Sequence, residues 1–138
     1  MLNSPHLFQD VFARTLDDSL KISRQCFSQD YRLRKSFEFK RIKHHGMKHK
    51  AHAFWMQVLC DVDSSKPKLG IIVTRKFGNA VFRNRAKRIF REIFRKNLHN
   101  IPTNYQIIIL PRKMMHSFPF NRLESSFMLA LAKFSEKL

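Results

Sequence analysis

The stretch from Val81 to Leu98 constrains this chain more than any other. Set out at 100° per residue from Phe82, its residues Phe82, Ala86, Ile89, Phe90, Ile93 and Phe94 fall between about −20° and 120°. Asn84, Lys87, Arg88, Arg91 and Arg95 fall between about 140° and 240°, with Arg83 and Arg85 flanking the two sides. A helix so divided must bury its Phe/Ile face on another layer and turn the cations outward. Glu92 is the one acid available to balance them, and each like-charge pair a turn apart costs about 0.2–0.5 kcal/mol. Such a face is arranged for an external polyanion rather than for water alone.

The other elements supply a sheet for that helix. Ser36–His45 reads as a short helix with Phe39 and Ile42 on one side and Gly46 as its stop. Ala51–Val62 alternates, placing Phe54, Met56, Val58 and Cys60 on one strand face and Trp55, Gln57 and Leu59 on the other. Leu69–Thr74 and Tyr105–Leu110 read as more buried strands, the second closed by Pro111. Leu123, Phe127, Ala130 or Leu131, and Phe134 have the spacing of a terminal helix, Phe120–Phe134, that covers the sheet. With 14 Phe among 138 residues there is enough apolar material for a core, which excludes a disordered basic tail.

The charge is distributed unevenly. Residues 1–31 carry four Asp against three cations, so the formal +17 of the whole chain becomes +18 within 32–138. The boundary is therefore set near Arg32, with 1–31 read as an extension, flexible or holding one short amphipathic helix through Leu7, Phe8, Val11, Phe12, Leu16 and Leu20. Residues 32–50 hold Arg32, Arg34, Lys35, Lys40, Arg41, Lys43, Lys48 and Lys50 against Glu38, and residues 75–96 hold nine cations against Glu92. No apolar run is long enough to span a membrane and no secretory leader is visible, so a cytoplasmic protein is expected. Cys26 and Cys60 lie far apart and read as reduced thiols. His45, His49 and His52 run from a helix end into a strand without a cysteine partner, and no metal site is assigned to them. Asp61 and Asp63 read as turn formers.

The string Lys76-Phe-Gly-Asn-Ala-Val-Phe-Arg83-Asn84-Arg85-Ala-Lys87-Arg88-Ile-Phe-Arg91-Glu92 resembles the signature of the bacterial ribonuclease P protein family, K-x-G-x-A-V-x-R-N-R-x-K-R-x-x-R-E, at every specified position. The resemblance extends from Leu33-Arg-Lys, Phe39, Ile42 and Gly46 through Gly70–Thr74 to the strand at Tyr105–Leu110, covering about residues 32–134. It implies an α+β fold: a two-layer sandwich of about four strands in a mixed sheet packed against helices, with a left-handed βαβ crossover. Sequence physics alone would favour the right-handed form, found in about 98% of such units.

The resemblance also implies a division of labour. A large catalytic RNA, using bound Mg2+, removes the 5′ leader of precursor tRNA, and the protein assists by binding both RNAs. No obligate protein partner and no membrane are expected. No catalytic residue is expected in this chain, whose acids are too scattered to hold two metal ions. Arg75, Lys76, Arg83, Asn84, Arg85, Lys87, Arg88, Arg91 and Arg95 would meet the catalytic RNA, with Asn84 near its magnesium and Arg32, Arg34 and Lys35 adding a basic N-terminal segment. Gly78 would allow a tight backbone at the helix entry, and Asn79 or Asn84 would cap it.

A cleft between the first helix and the sheet would hold the single-stranded leader, lined by Phe39, Lys43, Trp55 and Gln57. Lys43 and Gln57 stand where the family more often has aromatics, so charge and hydrogen bonds are expected to replace some stacking. Phe39 has core packing as an equal reading. Three other classes compete: a ribosomal or other structural RNA-binding protein, a DNA-binding regulator, for which no helix-turn-helix spacing is present, and a protein-only nuclease, which the scattered acids oppose.

Overall fold

A computed structural model describes residues 29–137 of the chain; the expected extension helix and Cys26 lie outside the described residues. Three helices, α1 (Ser36–His45), α2 (Ala80–Lys96) and α3 (Phe120–Lys137), combine with four strands, β1 (Met47–Lys50), β2 (Phe54–Cys60), β3 (Lys68–Ile71) and β4 (Tyr105–Pro111). The sheet order is β1-β2-β4-β3. β1 and β2 form an antiparallel hairpin, β2 pairs antiparallel with β4, and β3 pairs parallel with β4. The parallel pair requires a crossover, and α2 provides it.

The alternation in β2 is as its sequence predicts, and it separates two cores. Phe54, Met56 and Val58, with Leu69, Ile107 and Ile109, face Ala86, Phe90, Ile93 and Phe94 of α2 and Leu123, Phe127, Ala130, Leu131 and Phe134 of α3. The Phe54 and Phe90 rings meet edge to face with centroids 5.2 Å apart. Ile108 points the other way, onto Leu33 and Ile42, with Phe39, Leu59, Ile72 and Leu110 around them. One face of the sheet thus carries two long helices and the other carries α1 alone. This is the expected α+β class, with α1 adding a partial layer.

Local chemistry fixes the entry to α2. Gly78 has φ +155° and ψ −167°, a region open essentially to glycine. Asn79 follows as the cap, its Oδ1 accepting the Phe82 N–H at 3.1 Å, so the cap is Asn79 and not Asn84. At the other end, Asn97 Nδ2 donates to the Ile93 carbonyl and to Glu124 Oε2, both at 2.9 Å, stapling α2 to α3.

Three expectations are corrected. The strand placed at Ala51–Val62 begins at Phe54, and the basic segment before it is itself an edge strand, β1. Its Met47 and His49 are half-buried while Lys48 and Lys50 face out, the lysine-guarded pattern of a sheet edge. The strand expected through Thr74 ends at Ile71, although the Ile72 N–H still donates to the Ile109 carbonyl at 2.9 Å. Phe82, counted on the packing face of α2, is 43% exposed. It stands in the first helical turn, where the chain at Lys113–Ser117 lies beside it and its ring rests on His116 instead of the sheet.

Candidate nucleic-acid interface

The cation face of α2 forms one wall of a groove of about 390 Å3, lined by Asn84, Lys87, Arg88, Arg91, Glu92 and Arg95 together with Arg32. Arg32 reaches this helix because its backbone makes a parallel bridge to Leu69, while the next residue, Leu33, donates to the Leu69 carbonyl at 3.0 Å. Burial first, and then the nearby charge of Arg32, lower the Arg91 guanidinium from its ordinary range, though arginine remains charged in water. Glu92 is committed to Arg95, whose Nε donates to its Oε2 at 3.1 Å. With Glu92 against Arg32, Lys87, Arg88, Arg91 and Arg95, the lining of the groove carries a formal net charge of +4.

The remaining predicted contacts lie around it. Arg83 is half-buried and Arg85 exposed on the helix flanks, and Arg75 and Lys76 are exposed on the turn Arg75–Phe77 that precedes the helix. Arg34 and Lys35 line a second hollow of about 520 Å3, which Arg32 also borders, with Lys66, Lys68, Asp30, Glu38, Asp63, Ser64 and Ser65. Lys66 and Lys68 escape a reading of the sequence because they lie in a turn and at a strand start remote from either basic block. Lys66 pairs with Asp30 at 3.3 Å and Lys68 with Glu38 at 4.0 Å, so part of that hollow is self-neutralised.

On the α1 face, a hollow of about 340 Å3 is lined by Lys43, Lys48, His49, Lys50, Trp55, Met56, Gln57 and Leu110. Three of the four predicted cleft residues meet there. Phe39 does not line it; it is half-buried over Gly70 of β3 within the α1 core. The Trp55 ring is flanked by cations, with Lys50 Nζ 4.7 Å and Arg112 Cζ 5.1 Å from its centroid. Lys50 pairs with Trp55 across the hairpin, and Arg112 follows Pro111, which pairs with Phe54, so both contacts depend on register. Gln57 is 8% exposed and its Oε1 is buried without a hydrogen-bond partner. An acceptor left so costs about 1–3 kcal/mol until a donor reaches it.

Asp61 is a turn former and more. Its Oδ1 accepts the Asp63 N–H at 3.1 Å, while its Oδ2 accepts from Arg41 at 2.7 Å and from Gln106 Nε2 at 3.2 Å. The bond from Arg41 is the chief reason its carboxyl titrates below the usual range. Burial raises the Cys60 thiol above its ordinary value, which disfavours the thiolate. The histidines do not converge: His49 lies edge-on to Phe134, His44 and His45 have ring centroids 6.4 Å apart, and His52 is exposed. Among the described residues no three His, Cys, Asp or Glu side chains gather as a metal site, and no helix is long and apolar enough to cross a membrane.

An α+β domain that covers one sheet face fully and the other in part, and that carries a cationic groove on its crossover helix, has the build of a polyanion-binding protein. The comparisons with known proteins narrow that class. The family model described as Ribonuclease P matches residues 27–135. The ribonuclease P protein component of Natranaerobius thermophilus is 31% identical over 111 residues, covering 80% of this chain and 95% of that protein. That of Thermotoga maritima is 49% identical over 57 residues, 41% of this chain; over this and the other first relatives the chain matches only about half of their length, here 48%. Among solved structures, the RNase P protein from Thermotoga maritima superposes with a TM-score of 0.67 at 32% identity, covering 74% of this chain and 96% of that one. The RNase P protein of Staphylococcus aureus gives 0.65 at 28% identity, covering 76% and 94%. The chain belongs to the ribonuclease P protein family.

Proposed function

We infer that this chain is the cytoplasmic protein subunit of a ribonucleoprotein endonuclease that removes the 5′ leader of precursor tRNA, with the RNA subunit as catalyst. The observation that carries this reading is the convergence of Arg32, from outside the helix, on the Asn84–Arg95 face of α2. Guanidinium forks grip phosphate oxygens two at a time, and several fixed on one rigid helix suit a folded RNA backbone. The hollow between α1 and β2, lined by Lys43, Lys48, Lys50 and Gln57, takes the single-stranded leader: the lysines hold phosphates, and Gln57, once its side chain turns outward, accepts from a base.

The described residues do not fit a protein-held magnesium site. That ion wants several hard oxygen ligands, whereas the exposed Asn84 amide stands among Lys87, Arg88 and Arg91, and Glu92 is engaged by Arg95. Magnesium is accordingly assigned to the RNA.

The test combines purified protein, catalytic RNA and precursor tRNA at low magnesium. Leader cleavage that requires both macromolecules is expected. Cleavage by the protein alone, or co-sedimentation with ribosomes in place of the catalytic RNA, would overturn the reading.

A further inference from the structure

Phe82 is an aromatic side chain that a basic RNA-binding surface leaves in solvent. It stands on α2 immediately before Arg83, 43% exposed, although its helical phase assigns it to the buried face. It is nevertheless held in place. Its backbone N–H is bound by the Asn79 side chain at 3.1 Å. The His116 imidazole meets its ring at 4.9 Å between centroids and 63° between planes, and His116 is itself packed on the buried Phe77 at 5.0 Å. A Cβ at Gly78 would lie 3.4–3.8 Å from Phe82 Cβ, Cδ2 and Cγ, so the glycine backbone forms a floor beneath the start of the side chain.

The electrostatic setting points to the occupant. There is no Asp or Glu from Ser64 to Arg91 or from Ile93 to Leu123, the segments that supply this ring and its supports. Arg75, Lys76, Arg85 and Lys113 are exposed on the same elements. A fixed, solvent-facing ring amid unbalanced cations is how proteins bind unpaired nucleotides: phosphates are held by charge and the base by stacking.

We propose that Phe82, backed by His116 and Gly78, is a stacking platform for one unpaired base of the RNA that α2 binds. The inference rests on the RNA-binding reading above. Stacking is uncharged and must therefore separate from the arginine contacts in its salt dependence.

The experiment measures the affinity of the full chain for the catalytic RNA across a salt series. Phe82→Leu keeps the apolar bulk and removes the ring; Phe82→Trp keeps a stacking face. Binding by Phe82→Leu is expected to weaken about 5- to 150-fold, with an unchanged slope of log affinity against log salt and an unchanged melting temperature. Phe82→Trp should bind as the parent does. Parental affinity in Phe82→Leu, or weaker binding accompanied by a shallower slope, would overturn the proposal, the latter because the ring would then be positioning cations. Arg91→Ala in the same assay separates the two readings. If it weakens binding while Phe82→Leu does not, stacking alone fails; if neither weakens it, the RNA reading fails and the platform with it.

Discussion

The Phe39 ring occupies the space where Gly70 would carry a side chain: a Cβ built on Gly70 would lie 2.5 Å from Phe39 Cε1 and 2.7 Å from Cζ. Gly70 is buried in β3, and α1 sits on the sheet through this contact. Gly70→Ala should therefore push α1 off the sheet and cost about 1–3 kcal/mol, the usual range for overpacking. Chemical denaturation checks it, and the double variant with Phe39→Leu should recover part of the stability. Equal stability of Gly70→Ala and the parent would show that the ring moves freely, as a base-stacking residue would and a core residue would not.

The second lock on α1 is ionic and so depends on pH. Asp61 is hydrogen-bonded to Arg41 of α1 and to Gln106 of β4, and its carboxyl titrates below the normal value. A depressed carboxyl contributes stability that is present above its unfolded value, about 3.9, and lost as pH falls through the lower folded value. The parent should be more stable than Asp61→Asn at pH 7, and the difference should shrink as pH falls below about 4. Urea midpoints at several pH values measure this. A gap that stayed constant with pH would assign the Asp61 contribution to its neutral hydrogen bonds, such as that from Asp63.

In the α1–β2 hollow, Lys43 and Gln57 should act differently on the leader. Lys43→Ala should lower precursor affinity and make its salt dependence shallower, because it removes a cation that holds a phosphate. Gln57→Leu should lower affinity without changing the slope; it should also stabilise the free protein slightly by removing a buried oxygen that has no partner. Binding assays with precursor and leaderless tRNA, paired with melting curves, test both. Unchanged precursor affinity and slope in Lys43→Ala would remove charge from the account of leader binding.

How much of this was legible in the sequence depends on the range of the interactions. The helix face from Asn84 to Arg95 is set by 3.6-residue periodicity, and the inward set of β2 by alternation, so both could be read directly. β1 was hidden because three of its four residues are Lys or His, and a strand that is mostly cationic at the sheet edge looks like loop. Phe82 has the angle of a core residue, but periodicity says nothing about where the opposing layer ends. Arg32 in the groove and Arg112 on Trp55 both follow from strand pairing. No local pattern encodes them.

Arg91 should be the most informative single residue of the groove. It is half-buried against the position of Arg32, so it is better fixed than its exposed neighbours and contributes more per charge to a bound phosphate. Arg91→Ala should weaken assembly with the catalytic RNA and flatten the plot of log affinity against log salt by about 0.7–0.9 for each phosphate that the guanidinium neutralises. An unchanged slope would take Arg91 out of the interface.

The same crowding predicts that the free protein is stabilised by small anions. Like charges on α2 and Arg32 repel each other in the folded state, and unfolding relieves that repulsion by letting them separate. An anion that binds the groove only when it is folded adds RT ln(1 + [L]/Kd), about 2.7 kcal/mol at one hundred times its Kd. Sulfate should therefore raise the melting temperature well beyond the effect of a chloride salt at equal ionic strength, which accounts for screening. Arg91→Ala and Arg88→Ala should each reduce that excess, because both line the groove. Lys133→Ala, an exposed substitution on α3, should leave it intact. If sulfate and chloride acted equally, or Lys133→Ala reduced the excess as much as Arg91→Ala, the stabilisation would belong to the net charge of the whole chain and not to the groove.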